Sequence, residues 1–319
     1  MSFLSLGASV TLYDLDEVAK AREKADGPHN EGLRRAYSKM LDSGSERYVS
    51  SPSGTEALDE VQGQSPNFAG VLEDLANYIE LSMAGRGGLQ ILPVLLAGDP
   101  GVGKTHFAKS LARAMGLPFH FTSMGTMSAG WVLSGSAPTW SGARSGKVAE
   151  ALIEDKIANP VFLLDELDKT GGDSRYDPLG ALLQLLEKDT AAHFKDEFID
   201  IPIDASRVLW FATANRAELL PNFLLSRMAV YEVPAPTLEQ ARGIAQNIYS
   251  SLLKSAGLAY ESELRSDTMD ALHGVPPREM RKKLLDGLAR AARDKRDWLA
   301  PADIRSSHVR AAHPLGFLA

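Results

Sequence analysis

The chain has 319 residues, 44% of them apolar and 24% charged, with 34 basic against 41 acidic side chains and a formal charge of −7. That length suits about two domains. The composition supports a sizeable core and excludes a disordered chain, while the acidic balance argues against a general binder of nucleic acid or membrane surfaces. There is no cysteine, which excludes a disulfide scaffold, a Cys-ligated zinc or iron–sulfur centre and a thiol nucleophile.

The first residues carry no Lys or Arg ahead of a short apolar stretch that ends at Asp14, so no signal peptide is predicted. The longest apolar stretch, Ile91 to Ala97, is far below the roughly 18 residues of a membrane-spanning helix. A cytoplasmic protein without membrane attachment is expected. Within residues 1–57, Leu15, Val18 and Ala19, then Leu33, Ala36 and Met40, recur at helical spacing, with a break at Gly27 and Pro28. Two short helices are predicted. The stretches SGSER (43–47) and SSPSG (50–54) read as a mobile linker. The whole segment is expected to be a helical appendage that packs on the core or an element that docks a partner.

From about residue 58 the pattern changes. Residues 68–83 predict an amphipathic helix through Phe68, Val71, Leu72, Leu75 and Ile79. Continuous apolar runs follow at 93–97, 119–121, 161–164 and 208–212, separated by helical stretches at 105–115, 146–158 and 178–188. Unbroken hydrophobicity suits strands buried on both faces of a parallel sheet. Strands alternating with helices predict right-handed βαβ units and a doubly wound α/β domain over 58–236. Residues 237–319 read as a smaller all-α domain.

Between the run at 93–97 and the helix near Lys104 stands GDPGVGKT, comprising Gly98, Asp99, Pro100, Gly101, Val102, Gly103, Lys104 and Thr105. This is GxxxxGK[ST] with the strand before and the helix after that its chemistry requires. The glycines let backbone N–H groups curl around phosphate oxygens, and the helix N-terminus adds partial positive charge. Lys104 is placed to reach the β- and γ-phosphates and the Thr105 hydroxyl to ligate Mg²⁺. Pro100 is placed to stiffen the loop, and His106, the next helix residue, is grouped with the candidate nucleotide contacts. Val61 and Gln62, near the start of this domain, are further candidate nucleotide contacts.

The run at 161–164 leads directly into Asp165 and Glu166. Ligands of parallel sheets sit beyond the carboxyl ends of the strands, so Asp165 is expected to hold Mg²⁺ and Glu166 to orient the attacking water. The run at 208–212 ends in Thr-Ala-Asn, which places Asn215 at the same sheet edge as a second group for that water.

NPVFLLDELDK (159–169), DPLGALLQLLEKD (177–189) and DASRVLWFATAN (204–215) resemble the AAA+ ATPase module of Lon proteases. TWSGARSGK (139–147) resembles that family's aromatic–hydrophobic–Gly pore loop, and HPLGF (313–317) the tract that closes its small helical domain. The resemblance covers roughly residues 58–319 and implies a P-loop α/β domain followed by a helical lid. It further implies hexameric rings that hydrolyse ATP with Mg²⁺ and thread polypeptide through a central pore. By position, Asn215 is similar to the sensor-1 residue and Arg227, in LLSRM, to the arginine finger that enters a neighbour's site. GVPPREMRKK (274–283) resembles the sensor-2 segment, with Arg278 as its arginine and Arg281 as the alternative, because Pro276 and Pro277 shift the register. Trp140, Ser141 and Gly142 take the pore-loop position, where the family usually has Tyr and an aliphatic residue. The loop at 171–176 is a second candidate to face the pore.

The chain stops where the Lon peptidase domain would begin, the long N-domain is replaced by residues 1–57, and there is no HExxH pattern. The expectation is a Lon-like ring motor that remodels, unfolds or translocates protein substrates without cleaving peptide bonds, served by an adaptor or a separate effector. A MoxR-type assembly chaperone or switch for one client is the alternative, and a nucleic-acid-stimulated ATPase is a third reading.

Overall fold

The computed structural model describes residues 4–27, 30–85, 88–126, 130–170 and 179–305. The candidate second loop at 171–176 and the HPLGF tract lie outside the described residues. The chain divides into two compact units after Pro234.

Unit 1 begins with β1 (Leu4–Thr11), α1 (Leu15–Lys24), α2 (Glu31–Ser43) and β2 (Glu46–Pro52), and β2 pairs antiparallel with β1. The two helices lie where their apolar spacing put them. Asp14 caps α1, accepting from the backbone N–H groups of Asp16 and Glu17. The expected linker is corrected, because most of 43–54 is strand β2. Its inward residues Arg47 and Val49 are buried, and Tyr48 forms a parallel bridge to Ile157. Serine and glycine content suggested mobility, but the pairing that overrides it comes from residues 4–11 and 157, distant in sequence.

Arg47 fastens this module to the rest of the unit. Its guanidinium donates to the carbonyls of Leu152 and Ile153 at 3.1 and 2.7 Å, and to those of Gly44 and Glu46 at 2.9 and 2.8 Å. Helix C-termini carry unsatisfied carbonyls and partial negative charge, so a buried cation fits there without a carboxylate partner. Asn159 adds a second tie, bonding Ser50 through both its amide oxygen and its amide nitrogen.

The nucleotide-type domain follows. It runs through α3 (Glu56–Gln64), α4 (Ala69–Ala84), β3 (Val94–Ala97), α5 (Lys104–Ala114), β4 (Phe119–Ser123), α6 (Trp131–Ser134), α7 (Lys147–Glu154) and β5 (Val161–Asp165). It continues with α8 (Gly180–Leu185), α9 (Lys188–Ala191), β6 (Phe194–Lys195), β7 (Pro202–Ile203), β8 (Leu209–Ala214), α10 (Asn222–Leu225) and β9 (Ala229–Glu232). Five strands form one parallel sheet in the order β4-β5-β8-β3-β9, and β6 and β7 form a separate antiparallel pair. Alternate residues of each strand serve opposite cores. Leu95, Phe162, Leu164, Trp210 and Ala212 face a layer that includes α7, α8 and the N-terminal module. Val94, Leu96, Val161, Leu163, Leu209 and Phe211 face a layer with α4 and α5. Burial on both faces explains the unbroken apolar runs. The chain leaves interior strand β3 and returns at edge strand β4, while β8 beside it leads to β9 on the other side, which makes the end of β3 the topological switch point where ligands of such sheets bind.

Unit 2 contains α11 (Leu238–Ala256), α12 (Ser266–Asp270), α13 (Pro277–Arg293) and α14 (Pro301–Arg305). Thr237 and Gln240 form a reciprocal capping box at the start of α11. One face of α13, Met280, Leu284, Leu288 and Ala291, is buried together with Ile244, Tyr249 and Leu252. No helix among the described residues is long and apolar enough to cross a membrane.

Candidate nucleotide and catalytic site

The loop from Gly98 to Gly103 joins β3 to α5. At Gly98 (φ +148°) a Cβ would stand 2.5 Å from the carbonyl oxygen of Val233, and Gly103 (φ +107°) opens α5 in the left-handed region. Both positions require glycine for steric reasons. Asn67 donates to the carbonyl of Val102 at 3.3 Å, and Phe68 stacks on Phe107 of α5 with ring centroids 4.2 Å apart. Asn67 and Phe68 therefore buttress the loop, a role the sequence reading did not give them. Val61 is buried in the apolar cluster beside them and Gln62 is half-buried on the same helix.

Lys104 is 7% exposed. Its ammonium donates to the carbonyls of Gly98 and Asp99 at 2.6 and 3.0 Å and to Asn215 Oδ1 at 3.2 Å. Burial pushes it below the ordinary lysine range, while the carboxylates of Asp168, Asp165, Asp99 and Glu166 pull the other way. All three of its protons point into a cage of oxygens at the mouth of the loop.

Thr105 Oγ1 donates to Asp165 Oδ1 at 2.7 Å, and Thr213 Oγ1 donates to the same oxygen at 2.8 Å. The backbone N–H of Glu166 in turn donates to Thr213 Oγ1 at 2.9 Å. Thr213 thus ties the ends of β5 and β8 together. Glu166 adopts φ 58°, ψ 50°, a left-handed conformation that costs a non-glycine residue about 1–2 kcal/mol. Its carboxylate pairs with Lys169.

The hard oxygens of Thr105 and Asp165 fit Mg²⁺. Adjacent ligands of an octahedral ion at 2.0–2.1 Å lie roughly 3 Å apart, close to the spacing of these two atoms. Further ligands would be phosphate oxygens and water, in keeping with the preference of this ion for few protein groups.

Asp168 is the site residue that the sequence reading passed over. Its Oδ2 accepts the backbone N–H groups of both Asn215 and Arg216 at 3.1 Å, and its Oδ1 is buried without a partner. It fixes the backbone from which Asn215 reaches Lys104. The signal lay in the second aspartate of DELDK, two residues past Glu166.

Arg227 precedes β9, whose Ala229 N–H bonds the Pro93 carbonyl at the amino end of β3. The phosphate loop leaves the carboxyl end, so Arg227 and the loop occupy opposite sheet edges. Arg227 donates to the Phe223 carbonyl at 2.6 Å, and its Nε lies 2.6 Å from Glu187 Oε1, an ion pair without hydrogen-bond alignment. Arg278 is exposed in the first turn of α13 in unit 2, as is Arg281 one turn on. Ser141 and Gly142 are exposed beside Trp140, which is 50% exposed at the tip of a loop between α6 and α7. His106 is exposed on α5, 3.5 Å from Ser110.

A parallel sheet with helices on both faces, a glycine-shaped loop at its switch point and an acidic pair one strand removed define a P-loop nucleotide-binding domain. Residues 94–234 match the model of the ATPase family associated with various cellular activities (AAA). Lon protease 1 of Thermus thermophilus is 38% identical over 196 residues, which are 61% of this chain and 25% of that protein. Lon protease of Dictyoglomus thermophilum is 40% identical over 185 residues, 57% of this chain and 23% of that protein. The chain therefore carries an AAA ATPase module resembling that of Lon proteases, and it spans about a quarter of the length of these relatives. Among solved structures, the Thermotoga maritima RuvB Holliday junction branch migration motor superimposes with a TM-score of 0.51 at 19% identity, covering 74% of this chain and 66% of that one. That likeness concerns the fold alone.

Proposed function

We propose that this protein is an ATP-driven ring motor that grips polypeptide and remodels or translocates it. The observation that carries this reading is Trp140, a half-exposed indole at the tip of a closed loop, because a soluble protein that works on chains of any sequence needs an aromatic surface offered to solvent. The similarity of the module to that of Lon proteases supports the same substrate class. We assign no peptide-bond cleavage to these residues.

In this reading the loop N–H groups and Lys104 bind the phosphates. Thr105 and Asp165 hold Mg²⁺, which neutralises charge on the phosphate oxygens when bound. Glu166 and Asn215 orient the attacking water, and Glu166 takes up its proton. To meet a phosphate, Lys104 must leave the carbonyls of Gly98 and Asp99 and the Oδ1 of Asn215, and its departure frees that amide oxygen for the water. Arg227 cannot reach the site of its own chain across the sheet, so its role on the γ-phosphate belongs to a neighbouring copy, and hydrolysis requires assembly. Arg278 would report nucleotide state from unit 2.

The test is the hydrolysis rate against protein concentration, with and without casein. A cooperative rise with concentration and stimulation by casein are expected. Trp140→Ala should abolish the stimulation, and stimulation that survives intact would overturn the polypeptide reading. Stimulation by DNA instead of casein would move the assignment to nucleic acid. A fully active monomer would remove Arg227 from the reaction.

A further inference from the structure

Asp196 lies in the turn between β6 and β7 and is 0% exposed. Its Oδ2 accepts the backbone N–H of Gly146 at 2.7 Å, and its Oδ1 accepts those of Phe198 and Ile199 at 2.9 and 3.1 Å. Burial pushes this carboxyl up to about 6, with the three N–H groups pulling it back. A buried anion without a cation is costly, so its position calls for a reason.

The reason is in its neighbours. Gly146 ends the loop that carries Trp140, and Gly135 begins it. A Cβ on Gly135 would stand 2.4 Å from Asp196 Oδ1, and one on Gly146 would stand 2.2 Å from the Leu133 carbonyl oxygen. The two ends of the loop and the carboxylate therefore pack with no space between them. The Glu197 N–H donates to the Ser134 carbonyl at 2.7 Å, and further along the loop the Ser136 N–H donates to the Arg144 carbonyl at 3.1 Å while the Arg144 N–H donates to Ser136 Oγ at 3.2 Å. Three N–H groups on two sides need an acceptor with two oxygens. Asparagine has one oxygen and would turn an NH₂ towards one of those donors.

We propose that Asp196 is the positioning residue for polypeptide engagement: it bonds the Gly146 end of the 135–146 loop and packs against the Gly135 end, holding the loop base on the β6–β7 turn, so that force on Trp140 is carried into the body of unit 1. The inference rests on the reading of Trp140 as the gripping side chain. The turn is itself held, since Tyr37 of α2 donates its hydroxyl to the Ile199 carbonyl at 2.8 Å. The N-terminal module thereby braces the turn that braces the loop.

The test compares wild type, Asp196→Asn and Trp140→Ala. In Asp196→Asn, tryptic cleavage after the exposed Arg144 should quicken by about tenfold as the loop base opens, and the ratio of hydrolysis with casein to hydrolysis without it should fall towards one. Wild-type cleavage and a wild-type ratio in Asp196→Asn would overturn the proposal. If Trp140→Ala keeps its stimulation, the gripping role fails, while the cleavage rate still reports whether Asp196 holds the loop. Should Asp196→Asn fail to fold, hydrogen exchange in the unaltered protein decides. The Gly146 amide should exchange among the slowest of unit 1, and rapid exchange there would refute the anchor.

Discussion

The phosphate edge and the N-terminal module are held together by different chemistry. At the phosphate edge, side chains from neighbouring motifs bond one another: Lys104 to Asn215, Thr105 to Asp165, and Thr213 to Asp165. In the N-terminal module, single buried side chains bond backbone carbonyls about a hundred residues away, as Arg47 does at Leu152 and Ile153. The first arrangement concentrates function in three short motifs, around Lys104, Asp165 and Asn215, whose side chains meet at one end of the sheet. The second spreads stability through isolated residues that carry none of the chemistry. Substitutions at the phosphate edge should therefore cost rate and spare stability, and those in the module should do the reverse.

The largest effect is expected at Glu166. Glu166→Gln should bind ATP as wild type does and turn over about 100-fold more slowly or worse, measured by nucleotide titration and steady-state hydrolysis. Near-normal turnover would remove Glu166 from the reaction.

Arg47→Met tests the other side. It leaves the carbonyls of Leu152 and Ile153 buried without donors and should cost about 3 kcal/mol. The midpoint of thermal unfolding would fall by roughly 5–10 °C, with the Michaelis constant for ATP unchanged well below that midpoint. A loss of hydrolysis without a loss of stability would break the comparison.

Asp168 sharpens it, because its carboxylate bonds backbone yet serves the site. Asp168→Ala should lower kcat by about tenfold through misplacement of Asn215 and leave the affinity for ATP within about twofold. An equal loss in both would mean that Asp168 acts on the loop rather than on Asn215.

The smallest effect is a pH dependence. The Asp196 carboxyl is raised by burial from 3.8 to about 6, so between these values the folded chain holds a proton that the unfolded chain has released. Its contribution to stability is present at low pH and is lost as pH rises through about 6. Relative to Asp196→Asn, the unfolding free energy of wild type should drop by about 1 kcal/mol from pH 5 to pH 7. Denaturant titrations of the two proteins at both pH values measure it, and parallel profiles would show that the carboxyl ionises normally.

Legibility followed the same division. The apolar runs disclosed the sheet because both faces of each strand are buried, and GDPGVGKT disclosed the loop because its glycines, lysine and threonine are contiguous. Asp165, Glu166 and Asn215 were legible from their place after buried strands. Strand β2 was hidden by its serines, Asp168 by its place one turn beyond the acidic pair, and Asp196 by its bond to Gly146 and its packing on Gly135, some fifty or more residues earlier.

By itself the sequence determined the fold class and the phosphate chemistry, since hydrophobic period and motif spacing are local properties of the chain. The tertiary structure decided which carboxylates orient the site, that Arg227 faces away from its own phosphate loop, and that the module at 4–52 is clamped into the core. Those outcomes depend on backbone groups brought together from distant positions, and a carbonyl or an N–H carries no mark in the sequence.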